Sequence, residues 1–267
     1  MYLLRASSGS LALIICLGAS AADTEATKIV MGDGQIDGTA IAPYEARWRQ
    51  CNKQGDAWVN NGSVIERATE IQRDRRTLLR LEQETHLPNG VRARSVTLFD
   101  RATLAPLSVE SRARNLDDET LGSASYIYEE DGYTGKRARG DSQQTVMGEA
   151  SSKMYRGMNF GLALATLDPA TQLPAKLSAS MVSMNATYDV IVTYAGTDTF
   201  EFEGKKIEAW MADIEWHHLG LGDVYPPGPD ASGGRYWIVS NPPEGFPYVA
   251  RYQTDTYVVE FQTGVCQ

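Results

Sequence analysis

The chain has 267 residues, 25 Lys and Arg against 34 Asp and Glu, a net charge of −9 and a mean hydropathy of −0.33. That length is enough for one large all-β domain or two small ones with a sizeable core. The acidic field, with no dense Lys/Arg cluster against it, disfavours nucleic acid and anionic lipid surfaces as partners.

Residues 1–21 read as a secretory signal peptide. Arg5 supplies the early charge, Leu11 to Leu17 the apolar run, and Ala19-Ser20-Ala21 the small residues that place cleavage before Ala22. The apolar run is too short to span a bilayer, and Ile15 before Cys16 does not fit a lipidation site. Cleavage would remove Arg5 and Cys16, make the chain more acidic, and deliver it to the periplasm or the exterior. No later stretch is apolar enough to cross a membrane. Cys51 and Cys266 would then remain; a single disulfide and two separate thiols are both compatible with that pair in an oxidising compartment.

Residues 22–42, small, polar and glycine-rich, read as a flexible arm. From residue 43 to 267 the pattern is that of a single β-rich domain. Tyr44 to Arg49 alternates as a strand. Asn61-Gly62 and Asn89-Gly90 are hairpin dipeptides, because both central positions of a type I′ turn need positive φ. Between them Leu79, Leu81, Gln83 and Thr85 oppose Arg80, Glu82, Glu84 and His86, a half-exposed strand. Residues 63–77 have helical propensity, but their place between hairpin signals favours strand. Val91–Asp100 and Leu104–Arg114 pair around a turn opened by Asp100. Ala124–Arg139 makes two short strands around Glu130-Asp131-Gly132, and Gly140–Lys153 is polar without a period.

Met158–Leu167 predicts a helix stopped by Asp168-Pro169. The β pattern then resumes through Tyr188, Val190, Val192 and Tyr194, then Phe200 and Phe202 before a turn at Glu203-Gly204-Lys205, and Ile207–Trp216. A Pro/Gly-rich loop, Val224–Gly234, precedes Arg235–Ser240, Tyr248–Gln253 and Tyr257–Thr263. The sum is a mainly β fold: an antiparallel meander of roughly ten strands, which curls or packs against something at that size.

Phe200–Trp210, Tyr236-Trp237-Ile238 and Gly245–Tyr252 form a recurring arrangement, as do Phe99–Pro106 and the helix followed by Leu173-Pro174. Together they resemble a family of uncharacterised bacterial periplasmic proteins, a domain of unknown function. That family's predicted fold is similar to the LolA/LolB-like half-barrel of lipoprotein carriers. The likeness covers Pro43–Thr263 and rests on strand and turn grammar, not on catalytic side chains. It implies a curled antiparallel sheet, an incomplete β-barrel, with one helix packed across the concave face. In the carriers, acyl chains lie between sheet and helix.

No Gly-x-Ser-x-Gly elbow, His-Glu-x-x-His pair or glycine-rich phosphate loop occurs. His217 and His218, with Glu215 or Asp213 nearby, raise a metal site. Adjacent strand residues face opposite ways, however, so both chelate one ion only if the strand has ended. No metal or other cofactor is expected, and no catalytic residue is assigned. The aromatics offer a ligand wall: Trp48, Tyr188, Trp210, Trp216, Trp237, Tyr252 and Phe261 on strands, with Phe160 and Leu164 on the helix. The competing reading is that they are ordinary core. The leading expectation is a non-enzymatic envelope protein holding a lipid, acyl chain or lipoprotein client. The rivals are a protein-interaction module using sheet edges or the Val224–Gly234 loop, and a hydrolase built on His217 or His218.

Overall fold

A computed structural model describes residues 25–148, 154–156, 160–181, 186–219, 231–261 and 266. The expected signal peptide, Met158 and Asn159 of the expected helix, and residues 224–230 of the Pro/Gly-rich loop lie outside them.

In chain order the strands are β1 (Thr27–Lys28), β2 (Tyr44–Gln54), β3 (Ala57–Arg73), β4 (Arg76–His86), β5 (Arg92–Asp100), β6 (Pro106–Arg114), β7 (Thr120–Glu129), β8 (Gly132–Arg139) and β9 (Ser142–Gly148). After β10 (Tyr155–Arg156) comes helix α1 (Phe160–Ala165). The remaining strands are β11 (Ala175–Met181), β12 (Ala186–Phe202), β13 (Lys205–His218), β14 (Ala231–Ile238), β15 (Val249–Gln253) and β16 (Tyr257–Phe261). All belong to one sheet, in the order β1-β11-β12-β13-β14-β15-β16-β2-β3-β4-β5-β6-β7-β8-β9, with β10 also on β11. Two meanders are therefore joined where β16 pairs with β2. The sheet does not close: β9 forms one edge, and β11, with β1 and β10 parallel to it, lies at the other.

Several turns match the sequence. Asp100 Oδ1 accepts from the backbone N–H of Ala102 and Thr103, fixing the β5–β6 turn. Gly90 and Gly204 take positive φ at the expected hairpins. Asn61-Gly62, expected as a hairpin, instead sits inside β3. It forms a bulge against Gln50 and Cys51, and the chain turns earlier, at Gly55-Asp56. Gly62 has φ +117°, and a Cβ there would stand 2.1 Å from the His86 carbonyl oxygen. The glycine serves a close backbone approach, not a turn. The β3–β4 turn falls at Asp74-Arg75, both with positive φ, so the undecided segment 63–77 is strand on either side of a hairpin. Residues 142–148, which show no period, form β9. An edge strand with every residue at least part-exposed needs no alternation.

The arm is the larger correction. Over its described residues, 25–42, it is docked. Ile29, Ile36 and Ile41 are buried, the Ile29 N–H bonds Lys176 O, and the Gly38 N–H bonds Ala102 O. Arg101, 9% exposed, donates to the carbonyls of Thr39 and Ile41 at 3.0 and 2.7 Å and to Glu70 at 3.1 Å. The arm's spaced isoleucines do not alternate, which hides its apolar contribution in the sequence.

Helix α1 ends at Ala165, two residues before the expected Leu167, and all six of its described residues are buried. Thr166 and Leu167 close its last turn through i→i−3 bonds. A helix this short does not stand alone in water; packing holds it. It belongs to the main core, where Phe160, Leu162 and Leu164 meet Ala68, Leu79, Leu81 and Phe99 of one meander and Leu177, Val190, Val192 and Ile214 of the other. The sheet thus curls until its two halves share one interior, with the helix in it.

Candidate functional site: a half-open trough on the concave face

Directly paired residues of an antiparallel sheet share a face, so the registers define rows across the concave surface. The first runs Tyr44–Ala68–Leu81–Thr97–Val109–Tyr126–Gly135–Val146 from β2 to β9. It is mostly buried, and Val109 and Tyr126 join Tyr128 and Tyr133 in their own cluster. The second is Ala46–Glu66–Gln83–Ser95–Ser111–Ala124–Arg137–Gln144, and the third is Trp48–Val64–Thr85–Ala93–Ala113–Gly122–Arg139–Ser142. From β4 to β7 these two rows carry Ser, Thr, Ala, Gly and one Gln. Small side chains leave the interior unfilled there.

The consequence is a half-open cavity of about 920 Å³. The second and third rows form its floor. The opposite wall comes from Gly161 and Leu162 of α1, Trp216, Tyr236, Val249, Tyr252, Tyr257 and Val259. Tyr236 and Tyr252 stack with centroids 4.4 Å apart, and Phe160 braces Trp216 and Tyr236 from behind at 5.6 and 6.4 Å. Burial pushes the phenols of Tyr236, Tyr252 and Tyr257 up, so these rings stay neutral. Trp48 donates to the Val249 carbonyl at 3.0 Å, tying floor to wall.

Among the described residues one carboxylate lines the trough. Glu66, 9% exposed, accepts from the Tyr44 hydroxyl and, at 2.5 Å, from the Gln83 amide. Burial raises its pKa above the ordinary value, although both hydrogen bonds pull the other way. Tyr44 is pushed well up by burial and by Glu66 beside it.

The expected wall residues divide three ways. Trp48, Trp216 and Tyr252 line the trough. Tyr188, Trp210, Phe160 and Leu164 belong to the main core and do not line it. Trp237 and Phe261 fall in a second cluster with Trp48, Phe246 and Ala250. Trp237 pairs in register with Met211 and Arg251, its indole donates to Asp198 at 2.9 Å, and the Arg251 guanidinium lies 4.8 Å from its ring. Cys51 and Cys266 are bridged, Cα atoms 5.9 Å apart.

The floor was only partly visible beforehand. Alternation put Gln83 and Thr85 on the inner face with Leu81, but Glu66, Ser95, Ser111, Arg137 and Arg139 needed the strand pairing. The histidines are not in the lining. β13 runs through both, with His217 opposite Asp189 and His218 opposite Tyr188, hence on opposite faces. His217 lies 3.6 Å from Glu215, and the His218 ring packs on Tyr188 at 5.1 Å. Among the described residues no three His, Cys, Asp or Glu side chains gather as a metal site, and no helix is long and apolar enough to cross a membrane.

No protein-family model matches the chain, and no curated protein does. Among solved structures it is similar to the crystal structure of a beta-barrel-like protein of Domain of Unknown Function DUF1849 from Brucella abortus. The identity is 10%, the TM-score 0.49, and the match covers 83% of this chain and 96% of that one. The barrel-like description of the present chain rests on its own strand order.

Proposed function

We propose that the protein is an exported carrier of the bacterial envelope that holds an apolar chain, of a lipid or a lipidated client, in the trough, in the manner of a LolA/LolB-like half-barrel. The observation that carries this reading is the trough itself: about 920 Å³, near the upper end of ordinary ligand sites, with small side chains on one side and aromatic rings on the other. Each methylene taken from water contributes about 0.8 kcal/mol, so one buried acyl chain gives useful affinity after the cost of association. A protein-interaction module would favour a filled interior, and the floor rows leave this one open. A hydrolase would need a convergent polar cluster; Glu66 is engaged by Tyr44 and Gln83, and neither His217 nor His218 reaches the cavity lining.

The test is native mass spectrometry of protein purified from a periplasmic fraction without detergent, with fluorescent fatty-acid titration beside it. The mature N-terminus should be Ala22. The protein should carry or take up an alkyl ligand, and Ala113→Phe, which fills the floor, should weaken uptake at least tenfold with its Tm retained. Ligand-free protein that takes up no fatty acid overturns the proposal.

A further inference from the structure

A trough for plain hydrocarbon has no use for buried hydrogen-bonding groups, yet one floor row is made of them. Glu66, Gln83, Ser95 and Ser111 pair in register on β3 to β6, and all four line the trough. At about 4.8 Å per strand they form a stripe about 14 Å long. Glu66 is its buried end. Tyr44 donates to one of its carboxyl oxygens and Gln83 to the other. Both partners are neutral, and an ionised carboxyl has about four acceptor sites, so each oxygen keeps capacity for one more donor. Half-satisfied polar groups are costly to bury, and a ligand group that reaches the stripe offsets that cost.

The stripe discriminates among headgroups. A carboxylate or phosphate would meet Glu66 as a like charge. An ammonium suits Glu66 only when it is ionised, while burial favours its protonated form. A hydroxyl both donates and accepts, so it bonds Glu66 in either form and bonds Gln83 and the serines as well. Arg94, Arg112, Arg137 and Arg139 also border the trough, but all four are exposed, so water screens their charge.

We propose that the trough selects single-chain amphiphiles with a polyol headgroup, whose hydroxyls bond the Glu66–Gln83–Ser95–Ser111 stripe. This rests on reading the trough as an alkyl site. The tail lies against the aromatic side of the lining, Trp216, Tyr236 and Tyr252, where burial of apolar surface supplies the affinity and the stripe supplies the choice.

The experiment is displacement of an uncharged fluorescent alkyl probe by 1-monododecanoylglycerol, its di-O-methyl ether, dodecanoate and glycerol, with wild type, Glu66→Leu and Ser95→Ala/Ser111→Ala. The ether keeps the shape of the monoglyceride and lacks its donors. Wild type should prefer the monoglyceride over the ether by about tenfold, or about 1.4 kcal/mol, and over dodecanoate as well. Glycerol alone should not displace the probe. Glu66→Leu should bind the ether at least as well as wild type and lose the preference. The serine pair, which leaves Glu66 and its partners in place, should reduce the preference by roughly threefold and decides alone if Glu66→Leu does not fold. Equal affinity for monoglyceride and ether in wild type, a preference for dodecanoate, displacement by glycerol, or a preference that survives in every folded variant would each overturn the polyol assignment. Failure of every alkyl compound, the probe included, would instead overturn the reading of the trough, and the assignment with it.

Discussion

Glu66 is the side chain whose setting most contradicts its chemistry: a carboxyl on the inner face of β3 with a tyrosine and a glutamine as partners. Because the fold raises its pKa above the ordinary 4.5, the native state binds its proton more tightly than the unfolded chain does. Stability from this group is fully present below the unfolded value and is lost as pH rises through the folded one. Glu66→Gln cannot titrate and keeps a hydrogen-bonding amide beside Gln83. Thermal unfolding from pH 4.5 to 7.5 should therefore show the wild-type Tm falling relative to the variant's as pH rises. A difference that stays flat would mean the fold leaves this pKa unshifted, and one that grows in favour of wild type would mean the carboxylate is stabilised in the fold. At this scale the sequence reveals parity and little else. Leu81, Gln83 and Thr85 announce one face of a strand, but an empty space above Ser95, Ser111 and Ala113 becomes visible only once five strands are set side by side.

At the scale of elements, what holds each piece is tertiary contact more than local propensity. Helix α1 has six residues, all buried, and Leu164 is among the largest fully buried side chains. Leu164→Ala should cost about 3 kcal/mol in chemical denaturation, from lost burial and the cavity left behind; a loss under about 1 kcal/mol would mean the interior collapses around it. The arm depends on one side chain in a comparable way. Arg101→Ala removes donors to Thr39 O, Ile41 O and Glu70, and charged hydrogen bonds are worth about 1.5–3 kcal/mol apiece. The expected result is a loss of about 3 kcal/mol and new proteolytic cleavage within residues 25–42; an arm equally protected in the variant would assign its docking to the isoleucines alone. These elements also mark where sequence reading fails. Hairpins at Gly90 and Gly204 are legible because a local dihedral requirement fixes them. Asn61-Gly62 satisfies the same requirement for another purpose, and neither the arm nor β9 has a periodic signal.

Across the whole molecule, one seam decides whether the two meanders are a single body. β16 and β2 pair through Tyr257–Phe261 and Trp48–Asn52, which are distant in sequence and carry no local signal that they meet. Cys51 lies within that pairing, opposite Val258, and is bridged to Cys266, closing a separation of 215 residues. In sequence the pair is a count of two cysteines; in space it clamps the two meanders together beside the trough, since Trp48, Tyr257 and Val259 line it. In the chain-entropy account a loop that long gives an upper figure of about 5 kcal/mol for the bridge. Reduction, or Cys51→Ala/Cys266→Ala, should lower unfolding free energy by a large part of that. If the clamp acts at the seam, hydrogen exchange should rise first at residues 48–52 and 257–261, with β5 to β7 nearly unchanged under native conditions. Uniform loss of protection would place the effect in the unfolded chain, as the entropy model has it. A loss under about 1 kcal/mol would mean that strand pairing and the shared core hold the meanders together unaided. The three outcomes separate because a local clamp and a global tether act on different states: one on partly open native forms, the other on the fully unfolded ensemble.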